Sequence, residues 1–330
     1  MSNILVTGGL GFIGTFVVDR HLQRGDTVTI IDSAVGAVVD ESEYSSHPNC
    51  TVQVQSVEDY FGGGATLSGI DRVVHAAAHV GPAGILRYAG QLGFAIVEST
   101  QMVVDACVDA DVPLCVFSSA EVYGRSGQLA EADAIRVPVG YNARIEYAIA
   151  KTLTEAITIN SLRRGLRGFV IRPFNVAGPR QSRAGGFVMP TFVQQALVNK
   201  PMTVFATGRQ VRAFVSAMDL ARFVCDYWDD ALDSGSHIFN IGNPDNRIPV
   251  EDLAARIKEL LGSSSSIIHV DAQAIHGSMY IEAESFEKIP VLEAALAIDW
   301  KPERGLDDLI LDTAEYYRGR QDKRGVNAPL

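Results

Sequence analysis

The sequence predicts an α/β fold, a doubly wound parallel sheet that carries a smaller C-terminal α/β domain. Three observations support this. Short runs, apolar and β-branched almost without interruption, recur as "NILVTG" (3–8), "TVTIID" (27–32), "CTVQVQ" (50–55), "RVVHAA" (72–77), "LCVFSS" (114–119) and "GFVIRP" (168–173). Strands apolar on both faces belong in a sheet covered on both sides. Stretches of helical periodicity lie between them, at 12–24, 95–111 and 142–164, which is the alternation of parallel crossover units. The first run then ends in a glycine-rich turn, "VTGGLGFIG", ahead of the first helical stretch.

That turn places Gly8, Gly11 and Gly14 between strand and helix. Glycines there let the backbone approach a pyrophosphate, which rests on the positive end of the following helix. Asp32 closes the second run eighteen residues after Gly14, where an acid can accept from a ribose hydroxyl and repel an extra 2′-phosphate, so NAD is expected rather than NADP. His75 ends a buried-looking run and is expected to be packed and hydrogen-bonded; His79 follows in a loop. A late apolar run, "SHIFNIGNP" (236–244), reads as one more sheet strand. The expected organisation is a Rossmann-type NAD-binding domain over 1–176, with 212–242 returning to it. A second domain covers 177–211 and 243–320, and 321–330 form a tail.

Bulk properties narrow the function. A formal net charge of -11 argues against nucleic acid and anionic membranes as partners. It still allows a phosphorylated small molecule held by a few local arginines. The four cysteines, at 50, 107, 115 and 225, have neither disulfide-framework nor zinc spacing, so a reducing cytoplasm is expected and no metal site. No apolar run has the length of a membrane span.

The chemistry is expected from two later stretches. "YAIAK" sets Tyr147 and Lys151 four residues apart, on one helical face. A neighbouring ammonium favours the phenolate and makes the tyrosine usable as a base. "FSSAEVYG" (117–124) ends an apolar run in Ser118 and Ser119 and puts Glu121 at the mouth of a buried strand. Arg144 lies one turn before Tyr147, placed to meet a carboxylate.

With "TGGLGFIG", "HAAA", "SSAEVYG", "YAIAK", "RPFNVAGPRQ", "GRQVRAFV", "FNIGNP" and "DWKPERGL" in this order, the chain resembles an extended short-chain dehydrogenase/reductase of the nucleotide-sugar epimerase/dehydratase/decarboxylase group. The resemblance implies oxidation of a sugar carbon, usually C4, by tightly held NAD. It makes Ser119, Glu121, Tyr147 and Lys151 the catalytic set. It places the cofactor against Gly8, Gly11, Phe12, Ile13 and Gly14, with Asp32, Ser33 and Asp59 on the adenosine side. Ala76, Ala77, Ala78, Tyr147 and Lys151 complete that site. A nucleotide-diphosphate sugar, UDP-linked by preference, is expected at Val80, Ser119, Arg144, Asn175, Arg180, Arg212 and Lys288, with Arg183 and Arg209 as weaker candidates. A homodimer is implied as well.

Local motifs choose among the chemistries of this group. Typical 4,6-dehydratases carry an Asp-Glu pair, and here Ala120 stands where the Asp would be. Arg-x-x-Tyr-x-x-x-Lys is similar to UDP-glucuronate decarboxylases, the preferred reading; a 4-epimerase, a dehydratase and a non-catalytic NAD(H) sensor are the alternatives. Four positions depart from the pattern: Lys288 replaces a C-terminal arginine, Val80 a cysteine of apiose synthases, Ile96 an asparagine and Ser56 an adenine-contacting acid.

Overall fold

The computed structural model describes residues 1–78, 81–137, 142–271 and 287–324. Every apolar run named above becomes a strand. The first half gives β1 (Asn3–Thr7), β2 (Thr27–Asp32), β3 (Cys50–Val54), β4 (Arg72–His75), β5 (Leu114–Phe117), β6 (Gly127–Leu129) and β7 (Gly168–Pro173). Beyond these come β8 (Val176–Ala177), β9 (Met202–Phe205), β10 (Val211–Ala213), β11 (Val215–Ser216), β12 (Ile238–Ile241), β13 (Arg247–Pro249), β14 (Ile267–Val270) and β15 (Glu287–Pro290). The helices are α1 (Phe12–Gln23), α2 (Ser42–Ser45), α3 (Val57–Gly62), α4 (Gly81–Arg87), α5 (Leu92–Ala110) and α6 (Ala143–Ser161). Then follow α7 (Val188–Leu197), α8 (Ala217–Asp226), α9 (Trp228–Asp233), α10 (Val250–Leu260), α11 (Glu293–Ala297) and α12 (Leu306–Arg324).

The main sheet runs β12-β7-β5-β4-β1-β2-β3, with each pairing parallel. Alternation along the strands sorts its two faces. Ile4, Val6, Val28 and Ile30 pack with Val17 of α1 and with Leu220 and Val224 of α8. Leu5, Ile31 and Val73 point the other way, onto Val103 and Val104 of α5. At the β7–β12 edge the Phe169 ring meets Trp228 edge-on at 5.2 Å and Phe239 at 5.8 Å, contacts of about 0.5–1.5 kcal/mol each beyond simple burial. The order in which the chain adds strands reverses between β1 and β4, and the crevice at the carboxyl ends of such neighbours is where doubly wound sheets take their ligand.

A second core joins Met189, Phe192 and Val193 of α7, Leu253 and Ile257 of α10, and Leu309 and Ile310 of α12. Beside it lies a four-stranded sheet in the order β13-β10-β15-β6. β10 and β13 are antiparallel, while β15 is parallel to both β10 and β6. The sequence reading placed residues 127–129 with the nucleotide-binding part. Three residues, "GQL", carry too little periodicity to declare their partner, and in the structure they complete the other sheet.

Candidate active site

The glycine turn is built for close approach. Gly8 has φ 73°, in the left-handed region, and a Cβ there would sit 2.8 Å from the Ala77 Cα. A Cβ on Gly14 would meet the Gly8 carbonyl oxygen at 2.0 Å, so α1 packs directly on the turn. Gly11 begins α1 without a side-chain cap, which leaves the positive helix end, at Phe12 and Ile13, to a phosphate. Their side chains pack partly against the core, Phe12 edge-on to Phe16 at 5.9 Å.

Asp32 is buried at the end of β2. Its carboxylate accepts from the Leu10 N–H at 2.9 Å and the Ala34 N–H at 2.8 Å. Burial raises its pKa against those bonds, yet lone pairs remain for ribose hydroxyls. Ala76, Ala77 and Ala78 follow β4 as a partly buried wall, and the Ala77 N–H donates to Thr7 Oγ1 at 3.3 Å. Ser33 is exposed just past β2, and its Oγ accepts from the Val35 N–H at 3.5 Å. The cradle and the fixed carboxylate fit NAD.

Ser56 caps α3, accepting the Asp59 N–H at 3.0 Å, while the exposed Asp59 carboxylate accepts from Ser56 Oγ at 2.9 Å. The pair satisfies the helix end.

Helix α6 starts cleanly because the Asn142 side chain accepts from the Arg144 and Ile145 N–H groups, each at 3.0 Å. Its buried face carries Tyr147, Ala150, Lys151, Thr154 and Glu155, so spacing alone delivers Tyr147 and Lys151 to one side. Ser119 lies close enough to the Tyr147 hydroxyl to pull its pKa down. Ser119 in turn accepts the Glu121 N–H at 3.2 Å. The Lys151 ammonium donates to the Phe117 carbonyl at 2.7 Å and lies 6.0 Å from the Tyr147 ring centre. Burial pushes the Tyr147 phenol well above its usual range, nearby Ser119 works against that, and the Glu121 charge adds to it. Burial likewise lowers Lys151 to about 8, against the pull of Glu155. His75 lies between Thr7 Oγ1 at 2.8 Å and Thr100 Oγ1 at 3.2 Å. Burial and Lys151 lower it to about 3, a neutral packed histidine.

Next to this set, one carboxylate gathers cations. Glu121 Oε1 lies 2.6 Å from Lys288 Nζ and 3.1 Å from Arg144 Nη1. Lys288 is buried on β15 in register with Arg212 of β10, and the Arg212 charge also acts on Glu121. Burial pushes the Glu121 carboxyl up, but Lys288, Arg144 and Arg212 outweigh it and hold it at about 2. A carboxylate so placed is a fixed charge at neutral pH. Held in this way, the carboxylate fixes the directions of Lys288 and Arg144. Arg144, expected on a substrate carboxylate, has its Nη1 on Glu121; the rest of its planar fork remains.

Other expected contacts divide. Asn175, at φ 40°, donates from its side chain to the Ala213 carbonyl at 3.1 Å, beside Arg212. Arg180 is corrected: its Nη1 lies 2.6 Å from Asp19 Oδ2 and its guanidinium stands over the Phe16 ring at 5.2 Å. It ties the loop after β8 to α1 instead of joining the cation cluster. Arg183 and Arg209 are exposed, and Ile96 is a core residue. Val80 and His79 lie outside the described residues. Among the described residues no His/Cys/Asp/Glu group could hold a metal, and no helix is long and apolar enough to cross a membrane.

A glycine cradle at the switch of a doubly wound sheet, with a buried Tyr and Lys and a partly buried Ser beside it, defines an extended short-chain dehydrogenase/reductase. The chain belongs to the NAD dependent epimerase/dehydratase family, which matches residues 4–242. It is 28% identical over 292 residues to a UDP-N-acetyl-alpha-D-glucosaminuronate decarboxylase of Bacillus cytotoxicus, covering 87% of each protein. It is 28% identical to UDP-glucuronic acid decarboxylase 2 of Arabidopsis thaliana, over 80% of this chain and 58% of the plant protein. Among solved structures, Pal from Bacillus thuringiensis aligns at a TM-score of 0.79 and 26% identity, over 97% of this chain and all of that one.

Proposed function

We propose that this protein is an NAD-dependent decarboxylase of a UDP-linked hexuronate, with UDP-glucuronate and its 2-acetamido counterpart as the substrates to try. The observation that carries the proposal is the pair of cations, Lys288 and Arg144, that share the one carboxylate of Glu121 among the described residues, directly beside Tyr147 and Ser119. Such a surplus suits an anionic sugar and its diphosphate. The names of the two decarboxylase relatives point the same way. Gly8, Gly11, Gly14 and Asp32 would hold the cofactor. NAD bound there would supply a hydride acceptor for C4, a positive charge next to the phenol and, once carbon dioxide has left, the hydride that reduces the 4-keto pentose, with Tyr147 returning its proton to O4.

Tyr147 then takes the C4 hydroxyl proton, and Ser119 orients that hydroxyl. Lys151 keeps positive charge close by. A 4-keto hexuronate is a β-keto acid, so its carboxylate leaves as carbon dioxide once the cations have aligned it, and the electron pair passes to the enolate. The enolate carbon needs a proton. Lys288 can give one, being an ammonium whose pKa burial lowers against the pull of Glu121, whereas a guanidinium holds its protons. Ala120 offers no acid to a departing C6 hydroxyl, which argues against dehydration.

The deciding measurement is proton NMR of the product from each UDP-hexuronate. A UDP-pentose with release of carbon dioxide is expected. Inversion at C4 with the carboxylate retained would make the protein an epimerase, and a new methyl group a dehydratase.

The quaternary state proposed is a homodimer. Phe94 on α5 is 73% exposed, and Ile149 and Leu153 on the adjoining α6 are 41% and 47% exposed, too much apolar surface on two packed helices to leave in water. Light scattering should give twice the chain mass for the wild type and a monomer for Ile149→Glu/Leu153→Glu. A monomeric wild type would refute this. The four cysteines are free and buried, consistent with a cytoplasmic protein.

A further inference from the structure

Directly behind the tyrosine and lysine lies a buried polar network with no part in the steps above. Glu155 is one helical turn past Lys151 and 3% exposed; Arg172 on β7 is 2% exposed. The Arg172 guanidinium grips Glu155 with both arms, Nε to Oε1 at 2.8 Å and Nη2 to Oε2 at 2.7 Å. The same Oε1 accepts from Ser118 Oγ at 2.5 Å. Arg172 Nη1 donates to Tyr123 Oη at 2.9 Å, and Tyr123 donates to Asn240 Oδ1 at 2.7 Å. Asn240 anchors the far end through the Leu129 and Val291 carbonyls, each at 2.9 Å.

Isolated buried ion pairs seldom add net stability over an apolar core, so this one calls for another account. Its geometry offers one. Ser118 precedes Ser119, and Phe117, whose carbonyl receives Lys151, precedes Ser118. Glu155 thus holds the chain at the residue just past β5, between the Phe117 carbonyl that receives Lys151 and Ser119. The network also joins the turn that bears Ser119 to the helix that bears Tyr147.

We propose that Glu155 is a positioning residue: its buried carboxylate, locked by Arg172 and Ser118, sets the distance between α6 and β5 on which the Lys151–Phe117 hydrogen bond and the approach of Ser119 to Tyr147 depend, and gives Lys151 its counter-charge. The second half stands on spacing, since Glu155 follows Lys151 by four residues on the same buried face of α6, and Glu155 raises the Lys151 pKa against burial. Around Lys151 the other titratable groups among the described residues are Tyr147 on the same helix and His75 on β4, both uncharged. The Arg172 charge is spent on Glu155 itself. The role rests on the proposed catalytic set, so the test has one readout that needs no turnover.

Ser118→Ala removes one bond and little volume. Glu155→Gln/Arg172→Met removes both charges together, which avoids stranding either in the core. In protein labelled with ¹⁵N-lysine, the Lys151 Nζ resonance, assigned through Lys151→Arg, should titrate at least about one pH unit lower in the double variant than in wild type. In Ser118→Ala, turnover of the UDP-hexuronate should fall roughly tenfold with KM unchanged. An unmoved Lys151 titration in a folded double variant, or wild-type turnover in Ser118→Ala, would overturn the inference. Should the double variant not fold, Ser118→Ala decides alone. A wild type inactive on every UDP-hexuronate would count against the proposed function, and the Lys151 titration would still judge Glu155.

Discussion

Tyr147→Phe is expected to lower product formation from the UDP-hexuronate by roughly 10²–10⁴-fold, the span that a positioned acid–base group contributes. The substitution removes one oxygen and leaves the ring in its buried place against Ile96 and Leu92, so the fold and the cofactor content should not change. Its effect belongs on turnover and not on KM, because the phenol oxygen moves a proton and makes few ground-state contacts. In the unliganded protein, burial keeps that phenol neutral, so the positive charges needed to ionise it must be assembled around it before chemistry starts. Stopped-flow absorbance at the NADH band together with product NMR reads both quantities. Unchanged turnover would remove Tyr147 from the mechanism and favour a protein that binds the dinucleotide without doing chemistry.

The second large effect is expected at Glu121. Glu121→Gln leaves Lys288 and Arg144 facing a neutral amide, and the loss should be about 2 kcal/mol, below the 3–5 of a fully buried pair because Glu121 is half-buried. The pH dependence has a definite sign. A carboxyl lowered from 4.5 to about 2 on folding stabilises the folded state in full above about pH 4.5, and that contribution disappears as the pH falls toward 2. The stability gap between wild type and Glu121→Gln should therefore close over that window in urea titrations. Turnover should fall about 10²-fold, since the two cations lose their alignment, while oxidation at C4 still shows as NADH absorbance. A variant as stable and as active as wild type would make Glu121 a bystander.

The sheet was legible because strands buried on both faces must be apolar throughout, and chance does not write seven such runs separated by helical periods. The glycine turn and the Tyr147–Lys151 pair were legible because local spacing alone sets their geometry. The sequence also flagged Glu121 as a charge in an unusual place, but not its role. Its partner Lys288 is far along the chain, and no periodicity announces that β15 returns beside β6. Arg180 misled for the opposite reason. A loop arginine in a phosphate-binding family invites the substrate reading, and only the fold reveals Asp19 under it. The Glu155–Arg172 pair left one trace: a glutamate on the helical face already occupied by Tyr147 and Lys151, where an apolar residue would be the default.

The pairing of β6 with β15 limits how this enzyme can be rearranged. A chimaera that exchanged everything after residue 176 with a relative would import a foreign β15 while keeping the native β6. The seam would then fall within a hydrogen-bonded ladder and separate Glu121 from the lysine it pairs with. Swaps intended to alter sugar preference should carry residues 120–130 along with the C-terminal portion, so that the specificity module is assembled from two separate stretches of sequence.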